Sequence, residues 1–193
     1  MSTPPTLAST LASTLAPTLA PSPAPHLAED IAAIVRQETE LRFPSFDNNA
    51  AWRLGLSLRE LAVSRNQSIV IDIRRFGHPD QPLFYTALPG TTPDNPRWVQ
   101  RKVNVVARFY RSSYQLGLYL QQSNHTFSNR YNLPDADYAA HGGSFPLHVT
   151  GTGIIGSVTV SGLPQREDHN LVVEALCLEL QRDHDTLRLP PRP

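Results

Sequence analysis

Three histidines, His141, His148 and His169, fall within one stretch from His141 to Asn170, HGGSFPLHVTGTGIIGSVTVSGLPQREDHN, that is also dense in glycine. Neutral imidazole is the side chain most often used to ligate iron or zinc. His141 is the strongest ligand candidate, because the adjacent Gly142 and Gly143 permit unusual backbone angles and let a flat or anionic ligand approach the main chain. Its competing role is a loop histidine hydrogen-bonded to a neighbouring carbonyl. If residues 145–149 form a strand, His148 shares a face with Pro146, opposite Phe145, Leu147 and Val149, and points to solvent. Asp168 and His169 stand at a helix start and are positioned to relay a proton, although first-turn stabilisation by the helix dipole accounts for Asp168 equally well. Ser161 and Gly162 precede that helix and offer backbone N–H groups as a cradle for a carboxylate, such as a propionate or a small organic acid.

Other signatures fail on inspection. There is no H-E-x-x-H, no P-loop and no G-x-S-x-G elbow around Ser144, Ser157 or Ser161, which disfavours a hydrolase. Gly151, Gly153 and Gly156 spell G-x-G-x-x-G, but a dinucleotide site needs a helix next. The chain continues instead with the β-branched run 154–160, so the glycines are expected in a hairpin turn between two strands.

The elements that must position these residues can be read from periodicity. Leu27, Ile31, Ile34 and Val35 predict a first helix ending before Phe43-Pro44. Asp47 is expected to cap a second helix over residues 48–65, where Trp52, Leu54, Leu56, Leu58, Leu61 and Ala62 occupy more than one stripe and Trp52 is placed in the core. Ile69, Ile71 and Ile73 alternate with Val70, Asp72 and Arg74, and a second run comes at 83–88, so the two form a hairpin. Asp72 is a possible acid or base, but a rim charge beside a basic neighbour is the commoner role. Asp94 or Asn95 is expected to cap a helix with Pro96 in its first turn. Val99, Val103, Val106 and Tyr110 mark the apolar face of this helix. Arg97, Arg101, Asn104, Arg108 and Arg111 recur on another face, suited to carboxylate or phosphate contacts, to an oligomer interface, or simply to solvent. Lys102 is off that stripe. A helix over 113–122, a loop over 125–134, one turn over 138–143 and a closing helix from Gln165 to about Asp183 complete an antiparallel sheet with helices packed on its faces, an α+β class.

The chain of 193 residues carries 17 basic and 17 acidic side chains. This balance gives no excess to hold a nucleic-acid backbone, and nucleic acid is not an expected partner. Cys177 is the one cysteine, so no intrachain disulfide or thiolate cluster can form, and a buried inert thiol is expected. No run is apolar enough for a membrane helix and no signal-peptide pattern opens the chain, which makes the cytoplasm the expected location. Residues 1–25, with the near-repeat TLAS-TLAS-TLAP-TLAP, are expected to be a disordered tail, 26–187 a single domain and 188–193 a frayed Pro-rich end.

Phe46-Asp47-Asn48, Trp52, the block FYTALPGTTPDNPRWV at 84–99, and AHGGSFPL with GSVTVSGLPQREDH between Ala140 and His169 resemble the haem-degrading HbpS-like family, related to the GlcG proteins, and in particular its branch of uncharacterised proteins. The resemblance covers nearly everything after the tail. It implies a profilin-like or roadblock-like α+β fold, an antiparallel sheet flanked by helices, and a ring-like homo-oligomer. It also implies haem as a cofactor or ligand, with the glycine-rich segment where relatives carry their own Gly-Gly turn; no residue here matches an established axial ligand or catalytic group. The leading reading joins the two lines: haem or a similar anionic ligand sits at Gly142-Gly143, His141 touches iron, arginines such as Arg97 and Arg101 hold propionates, and weak oxidative haem degradation results. The alternatives are a non-enzymatic oligomeric adaptor whose arginine stripe and tail recruit protein partners, and a protein or enzyme for small organic acids that uses the Ser161–His169 cradle.

Overall fold

The computed structural model describes residues 25–190. The expected tail lies outside the described residues except for Pro25, which opens α1 (Pro25–Glu40). After it come α2 (Asn48–Ser64), β1 (Val70–Arg75), β2 (Gln81–Ala87), α3 (Asp94–Phe109), α4 (Ser113–Gln122), α5 (Phe127–Tyr131), β3 (Ser144–Val149), β4 (Gly153–Ser161), α6 (Gln165–Glu179) and α7 (His184–Leu187). The four strands form one sheet in the order β2-β1-β4-β3, with every neighbour antiparallel. Both hairpins expected from the alternation are present, and the fold is α+β with helices on the faces of an antiparallel sheet.

The two faces of this sheet differ in chemistry, as the two-residue period of a strand allows. Ile69, Ile71, Ile73, Phe145, Leu147, Val158 and Val160 pack with Leu54, Leu58, Leu171, Val172 and Leu176 into the main core beneath α2 and α6. The opposite face meets α3 and α4 and buries Asp72, Ser144, Ser157, Thr159 and Ser161 as well as Val70. Buried polar groups there need partners. Ser144 and Thr159 exchange a 2.8 Å hydroxyl hydrogen bond, and the Ser144 amide donates to Ser113 Oγ. Asp72, expected at the rim, is buried and receives two hydrogen bonds from Arg74, at 2.7 and 2.8 Å.

Other differences have local causes. Thr126 and Asn129 form a capping box that turns 127–131 into a helix where a loop was expected. Trp52 is 57 % exposed and lays its edge against Phe84 instead of entering the core. Asp47 caps α2 as expected, accepting from Ala50 N at 2.7 Å. Pro93 occupies the N-cap of α3, and Asn95 Oδ1 accepts from Thr92 N at 2.8 Å. The same helix stops at Phe109, because Tyr110 takes a left-handed conformation with φ 54°. Tyr110 is therefore exposed and Arg111 leaves the arginine stripe for the side chains of Gln115 and Tyr119.

The segment expected to fray is anchored through Pro190. Leu189 packs with Leu27, Ile31, Ile34, Tyr114 and Leu118. Gln37 Nε2 donates to Leu187 O at 2.7 Å, and Arg166 joins Asp30 to the Pro190 carbonyl. Residues 191–193 lie outside the described residues. Leu189→Ala is expected to lower stability by about 2 kcal/mol or more, the cost of truncating a buried leucine, and urea denaturation of both forms measures it. An end that frays would leave the midpoint unmoved.

Candidate functional site

Lys102, on α3, is the residue around which this region is built. It is 3 % exposed, and its ammonium donates to Asp168 Oδ2 at 2.7 Å and to Val160 O at 3.1 Å. Asp168 Oδ1 accepts from Leu163 N at 3.0 Å, and the Gly162 amide also hydrogen-bonds this carboxylate. The N–H cradle expected to receive a ligand carboxylate at Ser161-Gly162 is therefore filled by the protein's own Asp168. Ser161 is buried, with its carbonyl accepting from Asn95 Nδ2 at 3.4 Å. Burial raises the Asp168 carboxyl and lowers the Lys102 ammonium, while their mutual attraction opposes both shifts.

Gly142 and Gly143 are both buried, and their missing side chains make room for this arrangement. Gly143 has φ +122°, and a Cβ there would stand 2.7 Å from Lys102 Nζ and 2.4 Å from Val160 O. A Cβ on Gly142 would meet Gln165 O at 1.9 Å. The close approach these glycines allow is taken up by β4 and α6 of the same chain.

The turn thus serves to present His141 outward. The imidazole is exposed and meets Trp98 edge-on, with ring centroids 5.1 Å apart. Trp98 Nε1 donates to Asp94 Oδ2 at 2.9 Å, and the Arg101 guanidinium lies 4.3 Å above the indole, a cation–π contact. The Arg101 carbonyl accepts from Ala139 N at 3.2 Å and Asn104 Nδ2 donates to Asp137 O at 2.8 Å, so α3 holds the segment leading to His141. Burial first, then the positive charges of Lys102 and Arg101, depress the His141 pKa. This lowering favours the neutral ring, which keeps a lone pair for a metal. Beside it opens a cleft of about 400 Å³ walled by Leu120, His125, Phe127, Tyr138, Arg101 and His141, a size usual for small-molecule sites. Arg101 Nε is buried without a hydrogen-bond partner. An orphaned guanidinium nitrogen beside an aromatic wall and a neutral imidazole is a donor set that suits an anionic, metal-bearing planar group. Arg97, one turn before Arg101, is exposed on the neighbouring surface.

The other histidines are elsewhere. His148 is half-buried on β3, with its pKa lowered by burial and by Arg42. His169 is fully buried in α6, 2.8 Å from Gln37 Oε1 and against Tyr114 and Phe145, with no route to solvent for a proton relay. Among the described residues no group of three or more His, Cys, Asp or Glu could hold a metal ion. Lys102 was missed in the sequence because it lies outside the arginine stripe and its partner is 66 residues away.

Comparison with known proteins agrees with this architecture. The family described as haem degrading protein HbpS-like matches residues 46–177. A UPF0303 protein of Paraburkholderia phymatum is 57 % identical over 163 residues, 84 % of this chain and 97 % of that protein. A UPF0303 protein of Acidobacterium capsulatum is 56 % identical over 164 residues, 85 % of this chain and 98 % of its own. Among solved structures the Ybr137w protein superposes with a TM-score of 0.73 at 24 % identity, over 81 % of this chain and 92 % of its own. The PduOC:heme complex superposes with a TM-score of 0.58 at 15 % identity, over 69 % of this chain and 94 % of its own. Both share the fold. No helix among the described residues is long and apolar enough to cross a membrane.

Lys102→Met strands the Asp168 charge in the interior and is expected to cost about 3–5 kcal/mol, read by urea denaturation; a loss below 1 kcal/mol or so would mean that the pair is not buried as a unit. His169 gives a pH signature. Burial, then Arg166, pushes its imidazole down to about 3, whereas in the unfolded chain it titrates near 6.5. Between those values only the unfolded chain binds the proton, so this contribution to stability is complete above the unfolded pKa and shrinks as pH falls, by up to about 1.4 kcal/mol per unit. Comparing urea midpoints at about pH 7 and about pH 4.5, His169→Gln is expected to show a shallower decline than the parent.

Proposed function

The chain belongs to the HbpS-like family of haem-degrading proteins, and on that premise we propose that it binds haem, or an anionic planar ligand of that kind, in the cleft beside the Gly142-Gly143 turn. The observation that carries this reading is His141: an exposed, neutral imidazole at a cleft mouth, next to an Arg101 whose buried Nε has no partner. His141 would hold the iron. Arg101, and Arg97 one turn away, take the propionates by charge-assisted hydrogen bonds. Phe127 and Tyr138 offer aromatic surface to the macrocycle. Trp98 fixes the approach, because its indole is held by Asp94, carries Arg101 over its ring and meets His141 edge-on.

With a reductant and oxygen, bound haem supplies the redox chemistry of its own slow oxidative breakdown. The protein's part would be to hold that group through His141, Arg101 and Arg97 against the aromatic wall of Phe127 and Tyr138. Lys102 stays in its salt bridge and takes no part in that chemistry. The protein works as a cytoplasmic homo-oligomer. The small organic acid reading loses its site, since Asp168 occupies the cradle on which it depended.

Anaerobic haemin titration, then ascorbate and air, tests this reading. Saturable binding is expected, with a Soret shift and an affinity that His141→Ala weakens about tenfold or more and Arg101→Ala also weakens, about 1.5 kcal/mol or roughly tenfold being a fair loss for one charged hydrogen bond. Soret decay faster than that of free haemin is then expected in air. Absence of saturable binding would sink the proposal, and an unchanged shift in His141→Ala would remove His141 as the ligand.

A further inference from the structure

Far from the His141 cleft, α2 and β2 carry apolar surface that nothing among the described residues covers. Trp52, Leu56 and Val63 are 57 %, 36 % and 51 % exposed, and with Arg59 they recur at i, i+4, i+7 and i+11, one face of a helix. Beside this face runs β2, which stands at the end of the sheet and pairs only with β1. Leu88 N donates to Ile69 O, so by the alternation of an antiparallel ladder the Tyr85 and Ala87 backbone groups point away from β1. Tyr85 is 52 % exposed. Trp52 rests on Phe84 and joins the helix face to the strand edge.

We infer that this α2–β2 surface is a self-complementary interface on which a second copy of the chain docks about a two-fold axis, with β2 meeting β2 antiparallel and the two α2 faces side by side. The inference rests on the homo-oligomer part of the function proposed above and assigns its surface. Three observations select a second copy as the occupant. An exposed edge strand is normally guarded by charge, proline or a bulge; in β2, QPLFYTA, Pro82 and the register shift opposite Ile73-Arg74 lie toward its start and no charge stands from Leu83 to Ala87, so two copies of this stretch meet without like-charge repulsion. A strand edge is self-complementary in the antiparallel sense, which is what an isologous contact requires. The size also suits a dimer. The 17 residues of α2 and 7 of β2 each span about 25 Å, and two layers about 10 Å apart give a flat area on the order of 500 Å². Side-chain relief enlarges this toward the roughly 800 Å² per partner of stable complexes.

The full chain, Leu56→Glu and Tyr85→Glu are compared by light scattering after gel filtration, with far-UV circular dichroism as the check on folding and Val35→Glu, on the exposed surface of α1, as the control. The assignment expects a wild-type oligomer, smaller species of about half its mass or less for both interface variants with unchanged spectra, and wild-type mass for Val35→Glu. Leu56→Cys adds the second measurement: Cys177 is the one native cysteine and is buried, so a short bismaleimide should yield a covalent dimer through residue 56 alone. A monomeric wild type overturns both the homo-oligomer reading and this interface. An oligomer whose mass both variants leave unchanged overturns the interface alone. Unchanged mass with faster proteolysis before residue 25 makes the chain's own N-terminal segment the occupant, and loss of mass without the covalent dimer rules out the two-fold arrangement.

Discussion

The Lys102–Asp168 ion pair is the constraint on which the geometry of the site depends. An ammonium and a carboxylate taken from water each lose several kcal/mol of solvation unless their remaining hydrogen-bonding capacity is met. Here it is met by the Val160 carbonyl on one side and by the amides of Leu163 and Gly162 on the other. The pair therefore fixes three things at once: the depth of α3 over the sheet, the end of β4, and the entry of α6. Removing either partner disturbs all three, and for that reason its role is positional.

The glycine turn is a consequence of this pair. With Lys102 Nζ and Val160 O against Gly143, and Gln165 O against Gly142, no residue with a Cβ can pass between α3 and α6. The chain emerging from that passage carries His141 to the surface, where Trp98 and Arg101 receive it. Electrostatics then act in the same direction as geometry, because burial first, and then the charges of Lys102 and Arg101, lower the pKa of the imidazole. The polar lining of the α3 face of the sheet, built from Ser144, Thr159 and Ser161, belongs to the same region; the apolar face under α2 and α6 gives the fold its core.

Local periodicity made the framework legible. The alternation of Ile69, Ile71 and Ile73, the glycines at 151 and 153 and the cap at Asp47 each report on neighbours close in sequence, and the hairpins and α2 derive from them. The features that escaped depend on distant partners or on backbone choices without a marker. The role of Lys102 is defined by Asp168, and no spacing on α3 announces it. The stop of α3 rests on a left-handed Tyr110, a conformation that a glycine would have signalled and a tyrosine does not. Trp52 has the composition of a core residue, and its exposure is decided by the edge position of β2. At the site, His141 and its two glycines were legible from residue type, but the glycines' neighbours were not: sequence showed room beside the main chain without showing that β4 and α6 take it.

The anchoring of residues 184–190 onto α1 sets an order of events during synthesis. Gln37 on α1 reaches the Leu187 carbonyl, Ile34 and Leu27 pack against Leu189, and Arg166 joins Asp30 to Pro190. These contacts join segments about 150 residues apart. On the ribosome α1 emerges ahead of all these partners; α4 can cover part of its apolar face through Tyr114 and Leu118, but the part that Leu189 covers stays bare until the last turn of the domain has left the exit tunnel.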